Sequence, residues 1–230
     1  MPCTVLHIDN HVLVLDKPAP LATMGALPGE PTAVEWARDY LKHRFQKPGN
    51  VFVGVVSRLD AFVTGVLPLA RTSKGAARLT QAFAENRVRK TYVALVNGDL
   101  AIDQGHWCDR LWHDDGARRV RVVTDERGQA AELHFQVVAR FRQTTLLAIR
   151  LITGRKHQIR VQTSARDVPI VGDSKYGAPA WKQPGIALHA ARLAFPHPTR
   201  EETIDVSAPL PEYWPKEARE AWSSWSDTET

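Results

Sequence analysis

The order of apolar and polar positions along the chain predicts more strands than helices. Short runs of apolar and β-branched residues between turn signals are typical of strands. A turn at Asp9-Asn10 divides the first such run in two, because this dipeptide suits tight turns. The predicted strands occupy residues 5–15 (two strands), 51–56, 64–70, 93–96, 130–141, 144–152, 186–195 and 203–206.

Helical periodicity and capping signals predict four helices. Thr32 and Glu35 have the spacing of a capping box, which predicts a helix that runs to about residue 44. Ser73 is the predicted cap of a second helix through residue 86, whose apolar positions recur every three or four residues. The sequence also predicts helices over 156–166 and 211–225. Residues 99–129 are rich in charges and turn signals, and we interpret them as a peripheral insertion.

The strands do not alternate regularly with the helices, which favours a mixed α+β domain over a doubly wound one. Because no long Pro/Gly/Ser-rich linker interrupts the sequence, we expect a single domain over residues 1–230.

Composition narrows the class of protein and of partner. The sequence is 43% hydrophobic and 24% charged, which is ordinary for a globular protein. Its net charge of +5 favours a polyanionic partner. Cys3 and Cys108 are far apart and form no CxxC pair, which argues against a cysteine-based zinc site or a disulfide framework. With neither a secretory signal nor an apolar segment of membrane-spanning length, we expect a cytoplasmic protein without a membrane partner.

Standard cofactor motifs are absent from the sequence. It contains no GxxxxGK[ST], no GxGxxG and no HExxH, which excludes the usual motifs of nucleotide-triphosphate, dinucleotide and zinc-protease sites. His113-Asp114-Asp115 could imitate a metal site, but an exposed turn is the interpretation that we adopt. We therefore expect neither a cofactor nor a metal.

Three stretches carry candidate chemistry. Asp60 follows Ser57-Arg58-Leu59 just after the apolar run 51–56, as a carboxylate delivered to the edge of a cleft would; alternatively, Arg58 and Asp60 are simply solvated.

In the second stretch, residues 153–162, Lys156 and Arg160 would share one face of a helix whose start suits an anion. This face is either a basic solvated surface or it presents Arg160 as the fixed partner of a buried carboxylate.

The third stretch is Lys90-Thr91-Tyr92 with the arginines just before it. Tyr92 would either be a core residue or stack on an RNA base. The charges of Arg87, Arg89 and Lys90 suit phosphate contacts.

Taken in order, these pieces resemble the RluA-type family of RNA pseudouridine synthases from Val5 to about Trp214. The landmarks of that family stand in this sequence as Asp16-Lys17-Pro18, Arg58-Leu59-Asp60, Thr64-Gly65, Lys90-Thr91-Tyr92 and the stretches 154–162, 172–177 and 188–198.

The sequence departs from the family pattern at four positions. Ser57 replaces a histidine, Val63 precedes Thr64 where Thr-Ser is common, Lys156 replaces a threonine and Gln162 replaces a histidine. These departures bear on substrate fit more than on activity, because they leave Asp60, Tyr92 and Arg160 unchanged.

The resemblance implies an α+β pseudouridine synthase fold with a central, largely antiparallel bent sheet, a catalytic cleft and flanking helices. Many members of that family carry a separate small N-terminal RNA-binding domain, which we expect this chain to lack. It implies an isomerase that breaks the glycosidic nitrogen–carbon bond of uridine in RNA and reattaches the base through carbon 5. Asp60 would act as nucleophile or base, at the ribose or at the uracil. Tyr92 would stack on the target base, Arg160 would hold the carboxylate, and Arg58 would fill the space that the flipped nucleotide leaves.

The expected partner is structured RNA, ribosomal or transfer RNA, bound by a monomer. Phosphate contacts would come from Arg87, Arg89, Lys90, Arg155 and Lys156. One alternative is a non-catalytic RNA-binding or RNA-folding protein on the same scaffold. An aspartate-nucleophile hydrolase is a weaker alternative, because no second catalytic carboxylate stands in a recognisable context.

Overall fold

The computed structural model describes residues 3–27 and 29–225. Within these residues the strands are β1 (Thr4–Ile8), β2 (Val12–Lys17), β3 (Gly54–Val55), β4 (Thr64–Ala70), β5 (Arg89–Asn97), β6 (Gln104–Asp114), β7 (Arg119–Val123), β8 (Gln129–Arg140), β9 (Thr144–Leu151), β10 (Leu188–Pro196) and β11 (Thr203–Ser207). The helices are α1 (Ala33–Arg44), α2 (Ser73–Ala84), α3 (Gln158–Ser164) and α4 (Lys216–Ser224), with a single 3₁₀ turn at Ser174–Tyr176.

The described residues group into two compact units. The first consists of the chain up to Lys90 together with Ala190–Pro209, and the second consists of Thr91–His189 together with the chain from Leu210 onward. No helix among the described residues is long and apolar enough to cross a membrane.

In the first unit, the strand order is β1-β2-β4-β10, with β3 paired to β4 and β11 paired to β10. The pairs β1–β2, β2–β4, β3–β4 and β10–β11 are antiparallel. The side chains of Val14, Val66, Leu79 and Phe195 belong to one buried cluster, so that α2 packs its apolar face on the sheet. The predicted strands at 5–15 and 64–70 are confirmed.

The two helices of this unit begin where side chains satisfy free backbone amides. Thr32 and Glu35 form the predicted capping box at the start of α1, which ends at Arg44 as expected. The cap of α2 is Thr72, whose Oγ1 accepts from the amide of Gly75, 3.0 Å away. The prediction of Ser73 as the cap is thus wrong by one residue.

The apolar run 51–56 is not the buried strand that the sequence predicts. Only Gly54–Val55 pair, and their partners are the last two residues of β4, Leu69 and Ala70. Phe52 is exposed, so the run does not bury its apolar side chains throughout. Asp60 therefore follows a short edge pairing and a bend, not a long central strand.

In the second unit, five antiparallel strands follow the order β5-β9-β8-β6-β7. The predicted strands at 130–141 and 144–152 correspond to β8 and β9. The interpretation of 99–129 as a peripheral insertion is wrong for β6, which pairs with β8 on one side and β7 on the other. Only Trp107 and Leu111 of β6 are buried, which explains why its sequence carries so weak a strand signal.

Gly65 allows close contact between β4 and β10 in the first unit. Its φ is +107°, and a Cβ at this position would overlap the carbonyl of Ala190. Both the backbone conformation and the lack of space therefore require glycine.

We expect the substitution Gly65→Ala to lower the free energy of unfolding by more than about 3 kcal/mol, because strained dihedrals and steric overlap add together. Urea unfolding measures this loss. Gly98→Ala is the matched control, since Gly98 also has a positive φ of +89° but would place its Cβ 3.5 Å from Val168 Cγ1. The control should lose only about 1–2 kcal/mol; equal losses would show that the overlap with Ala190 is relieved without cost.

Candidate active site

Asp60 is half-buried at the beginning of a tight turn that leads into β4. Its carbonyl accepts a hydrogen bond from the amide of Val63, 3.1 Å away. The residues on either side of Asp60 are anchored by a second segment of the first unit. The amide of Leu59 donates to Thr23 Oγ1 at 3.0 Å, and the same hydroxyl donates to the Leu59 carbonyl at 2.8 Å.

The other side of Asp60 is fixed through the carbonyl of Ala61. This carbonyl accepts from the amide of Leu21 at 3.0 Å and from Lys17 Nζ at 3.4 Å. With hydrogen bonds on both neighbouring peptides, the position of the Asp60 backbone is set by residues 17–23. Such pre-positioning is what a catalytic carboxylate requires.

Lys17 has no solvent exposure, which is unusual for a lysine. Its ammonium also donates to the carbonyls of Pro18, at 3.0 Å, and Leu21, at 2.7 Å. Burial lowers the pKa of Lys17 to about 8, and the charges of Cys3 and Asp60 act against this shift. The sequence offered Lys17 as a family landmark without a role; the structure places its charge near Asp60.

In the second unit, the guanidinium of Arg160 on α3 is buried and makes a two-pronged ion pair. Its Nε lies 2.6 Å from Asp173 Oδ2 and its Nη2 lies 2.8 Å from Asp173 Oδ1. The side chains are 6% and 1% exposed, respectively. The alternative of a solvated face is therefore wrong for Arg160, whose buried partner in the structure is Asp173. The pairing of Arg160 with Asp60 stays a prediction.

Tyr176 connects this ion pair to the surrounding elements. The guanidinium carbon of Arg160 lies 5.0 Å from the centre of the Tyr176 ring. The Tyr176 hydroxyl accepts from the amide of Val120 on β7, at 3.1 Å, and lies 2.7 Å from His157 Nδ1. Burial raises the pKa of Tyr176 above the ordinary value of a phenol.

Helix α3 is shorter at its start than predicted. His157 precedes it with φ +55°, and Gln158 Oε1 accepts from the amide of Arg155, 3.0 Å away. These contacts hold residues 153–157 in a loop, so the prediction that Lys156 and Arg160 share a helical face is wrong. Lys156 Nζ lies 2.7 Å from His113 Nε2, and Arg155 Nε donates to the Ala130 carbonyl at 2.9 Å. Arg155 and Lys156 are both exposed.

Tyr92 and Lys90 are part of β5, and both are half-buried. Tyr92 lies opposite Ile149 of β9. Burial lowers the pKa of Lys90, as expected for an ammonium partly removed from water. Arg87 is exposed, and its Nε lies 2.7 Å from Glu85 Oε2.

The predicted residues thus fall into two groups. The first unit carries Arg58, Asp60, Arg87, Arg89 and Lys90, and the second carries Tyr92, Arg155, Lys156 and Arg160. Sequence reasoning had assigned no role to Asp173 or Tyr176, although both belong to the landmark stretch 172–177. The sequence signal for these two residues was the combination of an acidic and an aromatic side chain in that short stretch.

Comparisons with known proteins assign the class. The model of the RNA pseudouridylate synthase family matches residues 11–165. The ribosomal large subunit pseudouridine synthase D of Xanthomonas campestris is 36% identical over 92% of this chain and 67% of its own. The dual-specificity RNA pseudouridine synthase RluA of Pasteurella multocida is 34% identical over 89% of this chain and 92% of its own.

A solved structure agrees with these sequence comparisons. Human RNA pseudouridylate synthase domain containing 4 is 25% identical, covers 91% of this chain and 89% of its own, and superposes with a TM-score of 0.77. The chain belongs to the RNA pseudouridylate synthase family. It has the α+β fold of that family and is an isomerase that forms pseudouridine in RNA.

The ion pair between Arg160 and Asp173 generates a test of stability. We expect Asp173→Asn to lower the free energy of unfolding by about 3–5 kcal/mol, because it leaves a buried guanidinium without its charged partner. Urea unfolding at neutral pH measures the loss.

The surface pair Arg192–Asp205 is a matched control with the same two-pronged geometry, at 2.8 and 2.6 Å. Its side chains are 44% and 37% exposed, so Asp205→Asn should cost less than about 1 kcal/mol. Similar losses in the two variants would contradict a special role for burial at Asp173.

Proposed function

We propose that this protein converts specific uridines of structured ribosomal or transfer RNA into pseudouridine in the cytoplasm, with Asp60 as the catalytic nucleophile or base. The observation that carries the proposal is the fixed position of Asp60, whose neighbouring peptides are hydrogen-bonded on both sides. The names of the Xanthomonas and Pasteurella relatives support RNA as the substrate. The name of the Xanthomonas relative refers to the ribosomal large subunit and so favours ribosomal RNA.

The isomerisation requires little from the protein beyond a positioned carboxylate. The glycosidic bond breaks, the base turns, and carbon 5 bonds to the ribose in place of nitrogen 1, with the proton of carbon 5 passing to solvent and nitrogen 1 taking up another. Asp60 would attack covalently or remove a proton, and an ionised carboxylate serves both routes. The protein acts as a monomer in this proposal.

The remaining residues take roles in binding and positioning. Tyr92 stacks on the target uracil, and Arg58 fills the space left in the RNA once the nucleotide has flipped out. Arg160, whose orientation is fixed by Asp173, stabilises the negative charge of the catalytic carboxylate. The phosphate contacts come from Arg87, Arg89, Lys90, Arg155 and Lys156.

The substitution Asp60→Asn tests the catalytic role directly. It should reduce isomerisation by at least about 10³-fold, since it removes the charged oxygen that attacks or accepts the proton. Release of tritium from RNA labelled at carbon 5 of uridine measures the reaction, and filter binding measures affinity, which should change less than about threefold.

Asp205→Asn, an exposed carboxylate of the same unit, is the control and should retain wild-type release. Release at the wild-type rate by Asp60→Asn would refute the assignment. Absence of release by the wild-type protein on total RNA, with RNA binding intact, would favour a non-catalytic RNA-binding protein instead.

A second test separates affinity from chemistry. Replacing Arg87 and Arg89 together by Gln should weaken binding to structured RNA of any sequence and reduce the slope of log K against log salt by up to about 2, because fewer counterions are released. Turnover of bound RNA should stay unchanged.

Arg38→Gln with Lys42→Gln on α1 removes the same net charge from exposed positions and serves as the control. Its salt dependence should match that of the wild type. If both double variants flatten the salt dependence equally, net charge rather than the 87–90 segment governs RNA affinity. Normal affinity with slow turnover would instead place the two arginines in the catalytic pocket.

A further inference from the structure

The pairing of β6 with β8 in the second unit collects metal-ligating side chains on one face of the sheet. His106 lies directly opposite His134, and Cys108 lies directly opposite Glu132. Residues two apart on a strand point to the same side, and directly opposed residues of an antiparallel pair have neighbouring Cβ atoms. The four side chains therefore form a compact block of two imidazoles, a thiol and a carboxylate.

Three of these side chains place a ligand atom within reach of a single ion. His106 Nε2 lies 2.9 Å from Glu132 Oε1 and 3.7 Å from Cys108 Sγ. One ligand atom from each of His106, Glu132 and His134 lies within 4.8 Å of the others. In a tetrahedral zinc site the ligand atoms are about 3.3–3.7 Å apart, given metal–ligand bonds of about 2.0–2.3 Å. Cys108 Sγ does not belong to this group of three, so the Cys108 side chain has to rotate toward Glu132 and His134 to complete a set of four.

The block rests on a rigid support. The opposite face of the same strands carries Trp107, Leu133 and Phe135, which are buried, and the rings of Trp107 and Phe135 lie 4.5 Å apart. The imidazoles of His106 and His134 are already stacked, with their centres 4.5 Å apart. Stacked rings do not direct their nitrogen lone pairs at one point, so at least one imidazole has to turn out of the stack to bind an ion. Because the strands that carry the block are fixed, the ordering cost is limited to such side-chain rotations.

We propose that His106, Cys108, Glu132 and His134 form a binding site for a zinc ion on the solvent-facing side of β6 and β8. Two imidazoles and a thiolate are ligands that zinc prefers, and the carboxylate completes a set of four. On binding, the Cys108 thiol releases its proton to solvent, and the ion bonds to its sulfur. With all four positions filled by protein, the site is structural and joins the two strands, independently of the reaction at Asp60.

Cobalt(II) is a spectroscopic probe for this site, because it occupies tetrahedral zinc sites and absorbs visible light. Titration of the purified full-length protein with Co²⁺ should give one ion per chain, visible bands of a tetrahedral ion and a near-ultraviolet band from thiolate coordination. Added Zn²⁺ should bleach both. Zn²⁺ should also raise the midpoint of thermal unfolding, because an ion that binds only the folded state stabilises it.

Variants assign the ligands. His134→Ala should weaken Zn²⁺ binding at least about tenfold, the lower range for disturbance of a metal site, and Cys108→Ser should abolish the near-ultraviolet band. His113→Ala is the matched control, because His113 is also on β6 but lies outside the proposed site. Its Nδ1 is 2.9 Å from Asp115 Oδ1. This substitution should leave Zn²⁺ binding unchanged.

The three substituted positions are on the surface or on strand faces that reach solvent, and circular dichroism tests whether each variant is folded. Failure of the wild-type protein to bind Co²⁺ or Zn²⁺, a wild-type spectrum without the thiolate band, or equal losses in His113→Ala and His134→Ala would each overturn the proposal.

Discussion

The buried ion pair between Arg160 and Asp173 is the interaction on which the second unit's candidate site depends. Removing two charges from water costs several kcal/mol for each ion, and only good geometry offsets this. Here the offset comes from two parallel hydrogen bonds and from the Tyr176 ring beneath the guanidinium. An apolar pair of similar volume would fill the space at a lower cost. The charged pair instead fixes the direction of a guanidinium, which apolar side chains cannot do, and this points to a functional reason for its presence.

The first unit applies the same principle with a different cation. Lys17 is buried against backbone carbonyls, and one of these belongs to Ala61, the neighbour of Asp60. Burial disfavours the charged ammonium and lowers the pKa of Lys17 to about 8. In each unit, therefore, a charged group in a dry environment orients a segment that carries a predicted catalytic residue. Gly65 contributes to the same region by allowing β4 and β10 to approach closely. Holding these charges in a dry environment lowers the stability of the fold. Enzymes gain from such an arrangement when it pre-positions their reacting groups.

Much of this could be predicted from the sequence, where local signals are strong. The capping box at Thr32 and the apolar runs of β8 and β9 act through neighbouring residues, and the order of family landmarks identified the class of enzyme. What could not be predicted depends on residues distant in sequence or on backbone geometry. Asp173 pairs with Arg160 across thirteen residues of chain, and the left-handed conformation of His157 shortens α3. The register of the β6–β8 pair likewise cannot be predicted from the sequence of either strand alone.

The central claim is that this protein forms pseudouridine at particular positions in structured RNA. Chemical mapping specific for pseudouridine, applied to total RNA from cells with and without the gene, tests that claim most directly. We predict that one or a few defined uridines in ribosomal or transfer RNA carry the modification only when the gene is present, and that its reintroduction restores them. Identical maps in the two strains, under conditions where the protein is produced, would contradict the account.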